Sequence, residues 1–512
     1  QYLRDKVNRG NGLNSVETTA GLMLIEDYSR QGNVQAATDL ADTMMQASSD
    51  GARALQALKL IQKNLPGSFI TLANKTLARK GLPMLNETEV KTINALQTLA
   101  NEADSIMAIE NAEQRQAAID EIIANVDPQY QKYINKLFNS KNKKDLSDWF
   151  LLLTQKVVSD KTPATWLDKI RSWQRINLLL NIKTNLRNFL GNAVFGTAET
   201  LGNATVAPWI DRLLSLRTGQ RTATLPQLGA AAKGMAQGAR DTVTAAQTGT
   251  LSMLGNRYSD APDSATRPFK SKILSWLDNA TTATLTFGDK IFSGAREADV
   301  AAQLRKINPN LSETEIAEIA HQLALEATFQ NDSGIAFGLL KARDLPKMIG
   351  DWRRRKTGDT NAKYAAEAIG NIITYGAIPF AKTPANVLQQ VINYSPLGLA
   401  NGITKAIRVA TRGQNASPQF QRQAVDAIAR GLSGTGMMGL GVLLASLGLA
   451  SGGSSEEDKR YREANGISDN SIKFSIGGKD YWVDFSSLGP IPAAINTGAS
   501  IWNELQEEMG WN

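Results

Sequence analysis

Apolar residues recur every third or fourth position through most of this chain, and that spacing predicts amphipathic helices. Residues 1–138 read as a helical array. Its segments are Ser15 to Gln46, Ala52–Leu65 up to the break at Pro66-Gly67, Glu87–Ile109 behind a cap at Asn86, and Glu113–Ala124 ahead of Asp127-Pro128. No repeat of fixed period accompanies the pattern, so a solenoid is not indicated.

Residues 139–215 change character. A basic run, Lys141-Asn142-Lys143-Lys144, leads into a segment holding Trp149, Trp166, Trp173 and Trp209. Ile176, Leu179, Leu180, Leu186, Leu190 and Val194 share one helical face, while Asn177, Asn181, Asn185, Asn188 and Asn192 form a second stripe of amides. Two readings fit the amides: the solvated face of a soluble helix, or hydrogen bonding to a neighbouring helix in water or lipid. Residues 216–272, rich in Gly, Ala, Thr, Gln and Ser with Pro262 and Pro268, read as linker-like apart from a helix over Leu228 to Gln247.

Residues 273–360 read as a helical unit. Ser312 and Glu315 have capping-box spacing ahead of Ile316, Ile319, Leu323 and Leu325. Arg353, Arg354, Arg355 and Lys356 follow in one cluster. Together with Lys141, Lys143 and Lys144 they are either solvated helix-end charges or contacts for phosphate, in nucleic acid or anionic lipid.

In residues 361–512 the pattern breaks from helical alternation. Gly431 to Ser455 contains no charged residue and lies between Arg430 and Glu456-Glu457-Asp458. About 20 apolar residues span a bilayer as a helix, which makes Gly434, Met437, Met438, Leu440, Val442, Leu443, Leu444 and Leu447 the membrane-insertion candidates. The small residues Gly434, Gly441, Ala445 and Gly448 would permit close helix packing. A buried central helix of a soluble domain, or a hairpin of two short helices broken at the glycines, would read the same way. Strand alternation appears only afterwards, in Ser471–Ile476 and Lys479–Phe485 around Gly477-Gly478, and a last amphipathic helix follows Pro490 from Ile491 to Met509. The expected fold is therefore mainly α: a multi-helix array with a small C-terminal β-hairpin and one glycine-rich apolar helix.

Composition agrees with a helical chain: 42% apolar residues but only 6% aromatic in 512 residues. With no cysteine, disulfides and thiolate metal sites are excluded. His321 is the sole histidine, so histidine-based metal or nucleophile chemistry would rest on one residue within a helix. The net charge of +7 admits anionic partners. Gly434, Gly436 and Gly439 match a dinucleotide fingerprint in letters but lack the preceding strand that gives those glycines meaning. No phosphate-cradling loop, zinc-protease helix, calcium loop or nucleophile elbow occurs, and the sequence points to no catalytic residue, cofactor or metal. Beginning at Gln1 without a signal-like segment, the sequence reads as part of a longer polypeptide.

Three stretches carry a resemblance. They are Trp173-Gln174-Arg175-Ile176-Asn177 through Asn188 to Gly191-Asn192; Ile378-Pro379-Phe380-Ala381-Lys382-Thr383-Pro384-Ala385-Asn386; and Ala429 to Gly436 with its apolar run and the hairpin beyond. Across residues 165–510 the chain resembles the helical regions of very large phage proteins, the large polyvalent or internal virion (ejection) proteins. The resemblance implies a virion component that is packaged with the genome and delivered into the host envelope on infection. Its partners would be other virion proteins or copies of itself, host-membrane lipid, and the DNA phosphate backbone without sequence preference. It carries over no catalytic residue. A scaffold-like virion or tail component and an unrecognised peptidoglycan hydrolase are the rival readings.

Overall fold

The computed structural model describes residues 2–8, 15–47, 60–61, 64–79, 81–139, 146–161, 182–251, 271–330, 382–453, 462, 464, 466–485 and 488–509. Among these the fold is mainly α, as the periodicity predicts, with one small antiparallel sheet near the C-terminus. The helices are α1 (Tyr2–Asn8), α2 (Ser15–Arg30), α3 (Val34–Ala47), α4 (Pro66–Arg79), α5 (Glu87–Ala108), α6 (Ala112–Ile123), α7 (Pro128–Phe138), α8 (Leu146–Asp160), α9 (Ile182–Thr205), α10 (Ala207–Thr218), α11 (Leu228–Thr248) and α12 (Lys272–Ile307). They continue as α13 (Glu313–Ala327), α14 (Lys382–Asn393), α15 (Pro396–Arg412), α16 (Pro418–Ser446) and α17 (Pro490–Met509).

The chain divides into two compact units. Unit 1 comprises Gln1–Leu180 with Ala236–Lys290, and unit 2 comprises Asn181–Met235 with Ile291–Asn512.

Local chemistry sets the helix ends in unit 1. The expected Ser15–Gln46 helix is two helices, because Gly32 takes a left-handed φ of 70° and Asn33 accepts from the Ala36 amide to start α3. The break expected at Pro66-Gly67 falls at Leu65, and Pro66 opens α4, where a proline in the first turn gives up no hydrogen bond. The expected Ala52–Leu65 helix lies mostly outside the described residues. Asn86 and Glu89 form a reciprocal capping box that starts α5, and Asp127 caps α7. One core joins Ile93, Leu96 and Leu99 of α5 to Phe150 and Leu153 of α8, and a smaller one gathers Leu22, Ile25, Ala41 and Leu72.

In unit 2 the capping box at Ser312 and Glu315 opens α13, which packs Ile316, Ile319 and Leu323 on Val300 and Leu304 of α12. The hairpin forms as expected, β2 (Ser471–Ile476) against β3 (Lys479–Asp484), with Ile476 opposite Lys479. Gly477 and Gly478 both take positive φ, 60° and 76°, as a tight two-residue turn between strands requires. A short strand, β1 (Ala450–Ser451), adds to its edge with Ala450 opposite Ile472.

A candidate site on one helix, buried charges and an apolar glycine face

Most of the longest charge-free run of the sequence lies in α16, and that helix has two unlike halves. Ser417 caps its start by accepting from the Phe420 amide. Arg422, Asp426 and Arg430 then fall four residues apart on one face, and all three are buried.

Buried charge is costly unless paired and hydrogen-bonded, and here partners arrive from distant sequence. Arg430 donates from Nε to Oε1 of Glu199 on α9 and from Nη1 to Glu326 of α13 at 2.6 Å. Tyr394, after α14, donates its hydroxyl to the same Glu199 oxygen at 2.7 Å. Arg422 holds Asp426 at 3.1 Å, the Thr222 carbonyl at 2.6 Å and Gln303 at 3.1 Å. Arg296 of α12 pairs with Asp299 at 3.4 Å and lies 3.5 Å from Glu199 and 3.7 Å from Asp426. Beside this network, fully buried Asp211 of α10 accepts from the amide and hydroxyl of Thr222, from Gln421 and from Arg221.

Burial would by itself raise the Glu199 carboxyl, but Arg430 and Arg296 with the two hydrogen bonds hold it down at about 2. Burial, reinforced by the Glu199 charge, pushes the Tyr394 hydroxyl well above its ordinary value. A carboxylate so firmly ionised is not tuned for proton transfer near neutrality. What the arrangement does is fix α16 against α9, α12 and α13.

The last amide of the stripe, Asn192, lies on the same side of α9 as Glu199. Asn192, Phe195, Glu199 and Gly202 form the buried face of that helix, whereas Leu190 is exposed. The solvated-face reading therefore fails at Asn192; its predecessors in the stripe lie outside the residues whose side chains are described. Phe195 meets Phe329 at a tilt and Tyr394 edge-on, at 4.8 and 5.6 Å between centroids, and Asn386 of α14 donates to the Phe329 carbonyl at 2.8 Å.

The second half of α16 is apolar and packs through glycine. A Cβ added at Gly434 would stand 2.2 Å from the Tyr394 carbonyl oxygen, and one at Gly441 2.0 Å from that of Ile495 on α17. Gly498 of α17 returns the contact, with its Cβ position 1.9 Å from the Met438 oxygen. Gly431 lies against Leu399, and Gly402 of α15 lies against the Ile428 backbone. Only glycine permits backbones this close.

The membrane-insertion candidates separate by face. Gly434 is buried, Met437, Met438, Val442 and Leu444 are half-buried, and Leu440, Leu443 and Leu447 are exposed. A continuous helix over the whole run does not form: α16 ends at Ser446, Gly448 turns the chain with φ 69°, and Ala450–Ser451 enters the sheet. The helical part of the run is about 16 residues, or roughly 24 Å at 1.5 Å per residue. Measured from Pro418, α16 as a whole is long and apolar enough to cross a membrane. Gly434, Gly436 and Gly439 are all helical, so they form no phosphate-binding turn.

The phosphate-contact candidates Lys141, Lys143, Lys144, Arg353, Arg354, Arg355 and Lys356 lie outside the described residues, as do Trp166 and Trp173. His321 sits on α13 with Nδ1 3.7 Å from Glu297. Among the described residues no group of three or more potential metal ligands occurs. Sequence reasoning missed Glu199, Arg296, Tyr394 and Asp426; the four-residue spacing of Arg422, Asp426 and Arg430 inside an apolar helix was the available signal.

Compared with protein-family models, curated proteins and solved structures, the chain matches none of them.

Proposed function

We propose that this chain is a non-enzymatic phage internal virion (ejection) protein, delivered on infection and helping to form a conduit for the genome in the host envelope. The phage assignment rests on the sequence resemblance, and the envelope role on α16. That helix is locked at one end by buried ion pairs, packed through glycine along one side, and presents Leu432, Leu440, Leu443 and Leu447 outward. An apolar stripe on a rigid support suits burial in lipid or in an assembly. Its apolar half is shorter than the roughly 30 Å hydrocarbon layer, so the fit is partial insertion or lining by several copies rather than a lone span. On this reading the protein resides in the virion interior and then in the host envelope, among other virion proteins or its own copies.

Flotation of the full chain with neutral phosphatidylcholine vesicles tests the reading. Wild type should float, and Leu443→Arg, which alters an exposed position, should lose most of that binding. On insertion scales the charge costs about 2.5–3.5 kcal/mol at a bilayer centre. Equal flotation of both proteins, or none by wild type, would remove the envelope role. Stable assembly without lipid would then favour the scaffold reading, in which the same leucines meet protein.

A further inference from the structure

α10 and α15, two helices of unit 2 that pack on each other, both carry exposed apolar and basic residues. α10 buries Ala207, Asp211, Leu214 and Thr218, which turns Trp209, Leu213 and Leu216 outward at 68%, 64% and 79% exposure. On α15, Leu397, Ile403 and Ile407 are likewise exposed. Six large apolar side chains in water are unusual for two helices that already bury their other faces.

The charges on these two helices and the loops that follow them are nearly all basic. Residues 207–227 and 396–417 hold six basic residues and a single acid, Asp211. That acid is fully buried and takes Arg221 as its ion-pair partner. Glu326, which is bound to Arg430, also faces half-buried Lys405. The remaining four, Arg212, Arg217, Arg408 and Arg412, are exposed, with Arg412 lying over the Phe420 ring at 5.0 Å. Arg212 and Arg217 flank Leu213 and Leu216 on the same outward arc of α10.

We infer that the α10–α15 face docks on the surface of an anionic lipid bilayer, with Trp209, the leucines and the isoleucines in the headgroup–acyl boundary and the arginines on lipid phosphates. Interfacial helices have this composition: a tryptophan and aliphatic side chains sink a few ångströms while long basic side chains reach back to the headgroups. A second copy of the chain fits less well, since a two-fold contact would set the same arginines against each other without an acid between them. A nucleic acid would take the arginines but leave the leucines in water. The inference rests on the proposal that the protein meets a membrane, and it assigns lipid charge selectivity to helices other than α16.

The test compares full-length protein on neutral phosphatidylcholine vesicles and on vesicles with added phosphatidylglycerol. The anionic lipid should raise affinity about tenfold or more at low salt, and the gain should fade as salt rises. Arg212→Glu with Arg217→Glu and Arg408→Glu, all at exposed positions, should abolish that gain and leave neutral-vesicle binding unchanged. Because the chain has no cysteine, Leu213→Cys supplies a unique attachment point for an environment-sensitive dye, whose emission should shift to the blue on anionic vesicles. Charge-indifferent binding, a gain retained by the triple variant, or an unshifted dye would each overturn the inference while leaving the role of α16 standing. Loss of neutral-vesicle binding in wild type would instead count against the envelope role itself. Concentration-dependent dimerisation that covers Leu213 would replace the lipid with a second copy.

Discussion

Arg430 and Glu199, 231 positions apart in sequence, share a buried charge-assisted hydrogen bond that ties the middle of α16 to α9. Tyr394 and Arg296 meet the same carboxylate, and Glu326 takes the other arm of the arginine. Arg430 thus joins the base of the apolar helix half directly to α9 and α13, and through Glu199 to α12 and the segment at Tyr394.

Removing the carboxylate should therefore weaken unit 2 sharply. Glu199→Gln keeps the shape but leaves Arg430 and Arg296 short of a counter-charge, a change that costs about 3–5 kcal/mol for buried pairs. Tyr394→Phe deletes only one hydrogen bond to a charged group, about 1.5–3 kcal/mol. Urea denaturation followed by circular dichroism should rank the two in that order. Equal stability of Glu199→Gln and wild type would show that the ion pairs contribute nothing net.

Acid should act through the same carboxylate. Its folded value, about 2, lies below the ordinary glutamate value of 4.5 that an unfolded chain would show. A depressed carboxylate contributes stability that is fully present above the unfolded value and is lost as pH falls through the folded one. The displacement corresponds to about 3 kcal/mol. The midpoint of urea unfolding of unit 2 should therefore hold steady above about pH 5.5 and fall between about pH 4.5 and pH 2. Glu199→Gln should flatten that fall, and an unchanged profile in the variant would assign it to other groups.

The basic clusters give a separate expectation. If Arg353, Arg354 and Arg355 contact DNA phosphates, replacing all three with alanine should weaken binding to every sequence alike and flatten the salt dependence. Sequence-selective binding, or binding indifferent to salt, would rule out contacts of that kind.

Much of the fold could be read in the chain because local physics decides it. The spacing of Ile93, Leu96 and Leu99 marks a buried helix face, Asn86 and Ser312 carry capping partners three residues on, and Gly477-Gly478 supplies the turn that a hairpin needs. The site was not legible in the same way. Nothing local in the sequence marks Glu199, Arg296 and Asp426 as buried, because charged residues ordinarily lie at the surface and their partners are fixed only by tertiary packing. Asn192 shows the same limit: an amide in a helix fits either water or a neighbouring helix, and only the fold buries it beside Phe195 and Glu199. Pro66 and Gly448 show the positional nature of breakers, since one opens a helix and the other closes one.

The glycines of α16 offer a test with opposite signs on one helix. Replacing glycine by alanine in a helix interior ordinarily stabilises by about 0.5–1 kcal/mol, because the unfolded chain loses freedom. Gly436 and Gly439 have nothing within 4 Å of an added Cβ, so Gly436→Ala and Gly439→Ala should raise the unfolding midpoint. At Gly441 the same methyl would meet the Ile495 carbonyl oxygen at 2.0 Å, and at Gly434 the Tyr394 oxygen at 2.2 Å. These are backbone atoms that no rotamer change can move, so α16 must shift from α17 or from the segment at Tyr394. Gly441→Ala and Gly434→Ala should therefore destabilise, by about 1–3 kcal/mol as overpacking does. Thermal unfolding of the four variants separates the glycine-packed interface from a merely flexible helix. If all four substitutions stabilised, α16 would not lie against α17 and Tyr394 as closely as described.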